Sequence, residues 1–244
     1  MKSGLSVIIP ALNEERYLPL LLDSLQKQTY AGDIEIIIVD GQSADNTVAV
    51  AESYKKHFSD FRILESKRGI AIQRNLGVAK AKYDLLLFVD ADIILPKHFI
   101  QDLMAKHITT KTFVATCFLW GAERDWLDYL SYLMFFPFFI PIGIIEHVTP
   151  GGMLFTNKHT HQSIGGFRET VKVGEDLDYS MRLKQQQVPY HYYFTPYALH
   201  SPRRLRKEGR LGFWMLYLKG YYYLKRHGVE HLHKHIDYEF GEYS

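Results

Sequence analysis

Apolar and polar positions alternate in blocks along the first part of the chain. Residues 5–9 form a short apolar run closed by Pro10, the pattern of a buried parallel strand. Residues 14–28 place Leu18, Leu21, Leu22 and Leu25 at helical spacing, and 34–39 form a second apolar run that ends at Asp40-Gly41. Ser43-Ala44-Asp45-Asn46 reads as a helix N-terminus that 47–56 continues. A shorter strand over 61–64 and a helix over 69–82 follow, with Ile72, Leu76 and Ala79 on one helix face. A fourth strand over 85–89 runs into Asp90-Ala91-Asp92. Strands alternating with helices in this way predict a parallel sheet with right-handed crossovers.

After about residue 110 the pattern changes. A strand is expected over 113–119, a short strand over 153–156, a turn at Gly165-Gly166-Phe167, a helix over 174–187 opened by Glu175 and Asp176, and a strand over 190–194. Residues 123–145 are aromatic and interrupted by Pro137, Pro141 and Gly143, which predicts a pair of short buried or interfacial helices rather than one spanning helix. From Arg203 the chain is basic, then apolar and aromatic to Leu224, then polar and rich in histidine.

Composition narrows the function classes. The single cysteine, Cys117, excludes an intramolecular disulfide, a cysteine-based zinc site and CxxC redox chemistry. A formal net charge of +2 argues against a polycation built to coat nucleic acid, and a hydrophobic content of 47% argues against disorder. The N-terminus lacks a signal-peptide pattern, so the expected location is cytoplasmic.

In open parallel sheets ligands bind at the carboxyl ends of the strands. Pro10, Ala11, Asn13 and Glu14 follow the first strand, Asp40 the second, Asp90 and Asp92 the fourth. No GxGxxG, P-loop or GxSxG motif accompanies them, which disfavours dinucleotide, NTPase and serine-hydrolase sites. Paired carboxylates at one strand end suit a magnesium or manganese ion, and equally an acidic loop in which Asp92 caps the next helix.

Four segments, in order, carry a family resemblance: Ser6-Val-Ile-Ile-Pro-Ala-Leu-Asn-Glu-Glu15, Ile36-Ile-Ile-Val-Asp-Gly-Gln-Ser-Ala-Asp-Asn-Thr47, Leu87-Phe-Val-Asp-Ala-Asp92, and Gly165-Gly-Phe-Arg168 with Gly174-Glu-Asp176. The chain resembles the family-two glycosyltransferases of the GT-A fold, and the resemblance spans most of residues 5 to 185. It implies an α/β, Rossmann-like, mostly parallel sheet flanked by helices. The expected division is a domain over 1–200 and a basic, aromatic extension over 201–244 with amphipathic helices. Within the domain, 1–110 is the nucleotide-binding half and 111–200 the acceptor-side half, with an aromatic insertion at 123–147.

The resemblance also implies roles. Pro10, Ala11, Asn13, Glu14 and Asp40 would grip base and ribose; the lesser alternative for Asp40 is a turn residue before Gly41. Arg68, Gln73 and Arg74 would line the nucleotide-sugar pocket, with Arg68 otherwise on a solvated face. Asp90 would contact ribose or metal. Asp92 and His200 would ligate Mn2+ or Mg2+, unless His200 is a structural histidine. Arg203 and Arg204 would hold the diphosphate. Gly151 and Gly152, with Glu175, would form the acceptor side. Asp176 would be the catalytic base of an inverting transfer, or else a first-turn acid that complements its helix dipole.

The expected partners are a nucleoside-diphosphate sugar, a lipid or lipid-linked acceptor and the inner membrane surface, with no nucleic acid. Aromatics concentrate at Trp126, Tyr129, Tyr132, Phe135, Phe136, Phe138 and Phe139, and again at Phe213, Trp214, Tyr217, Tyr221, Tyr222 and Tyr223 beside a basic cluster. Basic residues next to an aromatic helix suit an interfacial anchor on anionic lipid. The alternative is that the two segments pack on each other or form a homodimer interface in a soluble enzyme with a small acceptor.

Overall fold

A computed structural model describes residues 4–111, 113–122, 125–146, 152–201 and 203–236. Strands β1 (Leu5–Ala11), β2 (Ile34–Asp40), β3 (Phe61–Glu65), β4 (Leu85–Val89), β5 (Ile93–Ile94), β6 (Ala115–Gly121), β7 (Met153–Asn157) and β8 (His191–His200) form one sheet in the order β3-β2-β1-β4-β7-β6-β8-β5. β1 pairs in parallel with β2 and β4, and β2 with β3. β7 is antiparallel to both β4 and β6, while β6 and β8 are parallel. The sheet is therefore mostly parallel and flanked by helices, as expected.

The apolar runs are continuous because both faces of the sheet are covered. Leu5, Val7, Ile9, Ile36, Ile38, Leu87 and Val89 pack on one face against α1 (Leu18–Gln26) and α4 (Phe99–Thr110). Ile8, Ile37, Val39, Leu86 and Phe88 face the other way, toward α3 (Ile70–Lys80) and α7 (Glu175–Gln185). α2 (Thr47–Tyr54) and α6 (Lys158–Ser163) complete the domain. Where α3 crosses β1, a Cβ on Gly77 would stand 2.4 Å from Ile8 Cγ2, so only glycine permits the approach.

Several elements differ from expectation. Residues 126–146 form one helix, α5 (Trp126–Glu146), with Pro137 and Pro141 inside it, rather than a pair of short helices. The two prolines stand four residues apart, so their missing N–H groups fall on one side of the helix, and the other side keeps its ladder. β8 continues to His200, well past residue 194. β5 and α6 are additions to the expected elements, and the helix after Asp92 is α4, which starts at Phe99.

The basic segment forms α8 (Arg203–Glu208) and α9 (Arg210–His227). α9 packs on α5: Trp214 Nε1 donates to Ser131 Oγ at 2.6 Å, and Arg210 reaches Asp128 and Asp125 at 2.7 and 2.8 Å. The opposite face of the pair stays exposed. On α9 it carries Leu211, Met215, Leu218 and Tyr222, and on α5 Trp126, Leu133 and Met134. The side chains of Tyr132, Phe135, Phe136, Phe138 and Phe139 lie outside the described set. Among the described residues no helix is long and apolar enough to cross a membrane.

Candidate functional site

The loops after β1 and β2 interlock. Asn13 adopts a left-handed conformation (φ 55°), which its short polar side chain tolerates. Its N–H donates to Ser43 Oγ at 2.9 Å, and its Oδ1 accepts from the Ala44 N–H at 2.9 Å. The Glu14 N–H donates to Thr47 Oγ1 at 2.7 Å. Asp40 Oδ2 accepts from the N–H groups of Gln42 and Ser43, and its Oδ1 from Ser43 Oγ at 2.6 Å. Asp40 therefore organises its own turn in this structure. Gln73 is fully buried and donates to the carbonyls of Ala11 and Val39 at 2.8 and 2.6 Å. It clamps the ends of β1 and β2 together, beneath the loops. Pro10 and Ala11 lie within β1 and are buried, and Arg68 is exposed at the start of the α3 turn.

Two arginines tie the acids of the other strand ends. Arg74, on α3, is buried; it holds Asp90 Oδ1 at 2.8 Å and Glu175 Oε1 at 3.0 Å and lies over the Phe167 ring. This bridge fixes the start of α7, and with it Asp176, against the end of β4. Burial pushes the Glu175 carboxyl up, Asp176 beside it pushes it further, and Arg74 opposes both. Burial also raises Asp176, with Arg74 pulling it down and Asp90 pushing it up. Asp176 Oδ1 accepts the Leu177 N–H at 2.9 Å.

Arg203 makes the second bridge, to Glu14 and Asp92. Burial pushes the Glu14 carboxyl up to about 7, against the pull of Arg203 and with help from Asp92 and Asp90. The β5–β8 pairing sets Ile93 opposite His200, which brings His200 Nε2 to 3.4 Å from Asp92 Oδ2. Asp92 caps no helix: β5 follows it, and α4 begins at Phe99 after His98.

A carboxylate oxygen and an imidazole nitrogen at this separation fit two ligands of a manganese or magnesium ion. Such an ion would take further oxygens from substrate phosphates. Among the described residues no group of three His, Cys, Asp or Glu side chains could hold a metal.

Gly152 adopts φ 112°, and its carbonyl accepts the Asp90 N–H at 2.8 Å. It places backbone close beside the Asp90 carboxylate, where a Cβ would come within 3.6 Å of Oδ2. Gly151 and the Arg204 side chain lie outside the described residues. The sequence reading missed Tyr17, whose ring lies 4.8 Å under the Arg203 guanidinium, and it gave no role to Phe167 under Arg74. Phe167 sits in the Gly165-Gly-Phe-Arg168 segment and was within reach of that motif; Tyr17 carried no signal.

Comparison with known proteins agrees with this fold. The profile of the family described as "Glycosyl transferase family 2" matches residues 6–167. An uncharacterized glycosyltransferase of Haemophilus influenzae is 30% identical over 213 residues, covering 81% of this chain and 66% of that protein. The crystal structure of S. aureus TarS 1–349 in complex with UDP-GlcNAc superposes with a TM-score of 0.65 at 21% identity, covering 82% of this chain and 58% of that one. Mannosyltransferase PcManGT from Pyrobaculum calidifontis, in complex with GDP-Man and Mn2+, gives a TM-score of 0.66 at 16% identity, with 96% and 70% covered. The chain spans 18% of the length of the Staphylococcus aureus poly(ribitol-phosphate) beta-N-acetylglucosaminyltransferase TarS and 66% of that of the Haemophilus influenzae protein.

Proposed function

Since the chain belongs to glycosyl transferase family 2, we propose that it moves a sugar from a nucleoside-diphosphate sugar to an acceptor hydroxyl or phosphate, with inversion at the anomeric carbon. The observation that carries this reading is the Asp90–Arg74–Glu175 bridge, which sets Asp176, next to Glu175, beside the strand ends suited to hold a donor. The loops after β1 and β2, with Asp90, receive nucleoside and ribose. Arg203, with Arg204 next to it in sequence, receives the diphosphate. The acceptor enters beside Gly152 and Glu175. As its oxygen forms the new bond to the anomeric carbon, Asp176 takes the hydroxyl proton, and the bond to the diphosphate breaks with its electron pair leaving on the nucleotide. A carboxyl whose pKa is raised by burial is a stronger base for that proton than an exposed aspartate. Asp92 and His200 would hold Mn2+ or Mg2+, which supplies charge stabilisation to the departing diphosphate.

The solved relatives that carry UDP-GlcNAc or GDP-Man with Mn2+ support a donor of this class. A thermal-shift panel of UDP- and GDP-sugars, each with and without Mn2+, tests it. A ligand at about a hundred times its Kd stabilises by roughly 2.7 kcal/mol. At this chain length that is a rise of roughly 5–10 °C. No shift with any donor overturns the reading.

We place the acceptor at a membrane surface. Leu211, Met215, Leu218 and Tyr222 recur at helical spacing on the exposed face of α9. That helix contains Arg210, Lys219, Lys225 and Arg226 and no acid. An apolar stripe on a basic helix suits anionic lipid, with the helix lying in the interface. On this reading the extension over 201–244 is the membrane-facing addition to a domain over 1–200. The protein should sediment with phosphatidylserine vesicles at low salt and lose most of that binding in Leu218→Glu. A protein that stays in the supernatant overturns the membrane part and leaves the face to a second copy of the chain.

A further inference from the structure

Arg203 neutralises acids that lie far from it in sequence. Its terminal nitrogens hold the two Glu14 oxygens at 2.8 and 2.7 Å, and its Nε faces Asp92 Oδ2 at 3.2 Å. Arg203 is 17% exposed, Glu14 5% and Asp92 7%, so water screens these charges little. The contacts are unequal. The fork on Glu14 is bidentate, the strong geometry for a guanidinium, whereas the contact to Asp92 is single and longer. Tyr17 supports the plane of the guanidinium from below.

Asp92 Oδ2 is also the oxygen that faces His200 Nε2 at 3.4 Å. A divalent ion on Asp92 and His200 would therefore sit next to a fixed positive charge. In a poorly screened site two like charges that close repel strongly.

We propose that Arg203 is the built-in counter-ion of the donor site: it keeps a bare divalent ion off Asp92, and a diphosphate, by drawing the guanidinium onto its own oxygens, takes that contact away, so that nucleotide and metal bind as a cooperative pair. Glu14 is a positioning residue: its carboxylate keeps Arg203 within reach of both Asp92 and the diphosphate. The order of loading follows. Metal does not occupy the site ahead of nucleotide, and each ligand raises the affinity of the other by the same factor. This inference rests on the donor and metal reading above.

The test titrates Mn2+ into the full chain, with and without saturating UDP or GDP, following free Mn2+ by electron paramagnetic resonance. Wild type should bind Mn2+ about tenfold more tightly with the matching nucleotide. Arg203→Gln and Arg203→Met, run side by side, should bind Mn2+ alone about fivefold more tightly than wild type, because the repelling charge is gone. Arg203→Lys, which keeps the charge, should stay as weak as wild type for Mn2+ alone, and His200→Ala should bind it poorly with or without nucleotide. If the neutral variants bind Mn2+ alone no better than wild type while wild type still couples the two ligands, the counter-ion role is overturned and the metal reading stands. If wild type takes up no Mn2+ even with nucleotide, the metal reading falls and the proposal with it.

Discussion

Asp176→Asn should lower kcat by about 10²–10⁴-fold, the range that loss of a general base produces, with donor KM changed by no more than a few-fold. The side chain sits at the second position of α7, half-buried, with Oδ1 on the Leu177 N–H. Asparagine keeps that shape and that acceptor. It removes the lone pair that takes the acceptor's proton. It also removes one of the acids that push Glu175 up. The variant should therefore be as stable as wild type or slightly more so. The competing role, an acid that only complements the helix dipole, gives the opposite signature: retained turnover, and a loss of about 0.3–1 kcal/mol of stability. Steady-state kinetics and a melting curve on one preparation separate the two. Retained turnover would remove Asp176 as the base.

The nucleotide half of the fold was legible because its central strands β1, β2 and β4 are buried on both faces and so are predominantly apolar. β8 was harder. Tyr193 and Ala198 are buried while Phe194 and Tyr197 are exposed, and the run dissolves into a mixed pattern before it reaches His200. α5 was misread because two prolines ordinarily end a helix, and spacing them on one side escapes that rule only in three dimensions. The strand-end acids could be read one at a time. Their pairings could not. Glu14 and Arg203 are 189 residues apart, and the short β5–β8 ladder, with the Ser201 N–H on the Asp92 carbonyl, carries His200 to Asp92. Local pattern reports which side chains stand at a sheet's edge. Which cation answers which carboxylate is decided by how the far end of the chain returns to that edge.

Arg74→Met should cost about 3–5 kcal/mol, the usual consequence of removing one partner from a buried ion pair. Methionine keeps much of the stem's packing over Phe167, so the loss is mainly electrostatic. Asp90 and Glu175 lose the guanidinium between them, and Asp176 loses the positive charge that holds its carboxyl down. The effect should depend on pH with a definite sign. Glu175 and Asp176 already hold protons more tightly when folded than their ordinary values allow, and Glu14 does so up to about 7. A folded state that binds more protons than the unfolded one loses stability as pH rises. Wild type should accordingly weaken as pH climbs from the ordinary carboxyl range toward 7. Without Arg74 the carboxyls of α7 rise further, the window widens, and the variant falls away faster. Urea denaturation should give a gap between the two proteins that is large at about pH 8 and much smaller at about pH 5, where neutral carboxyls need no counter-charge. An equal gap at both values would mean that Arg74 contributes packing alone, and that Asp176 is held in place by something other than the bridge.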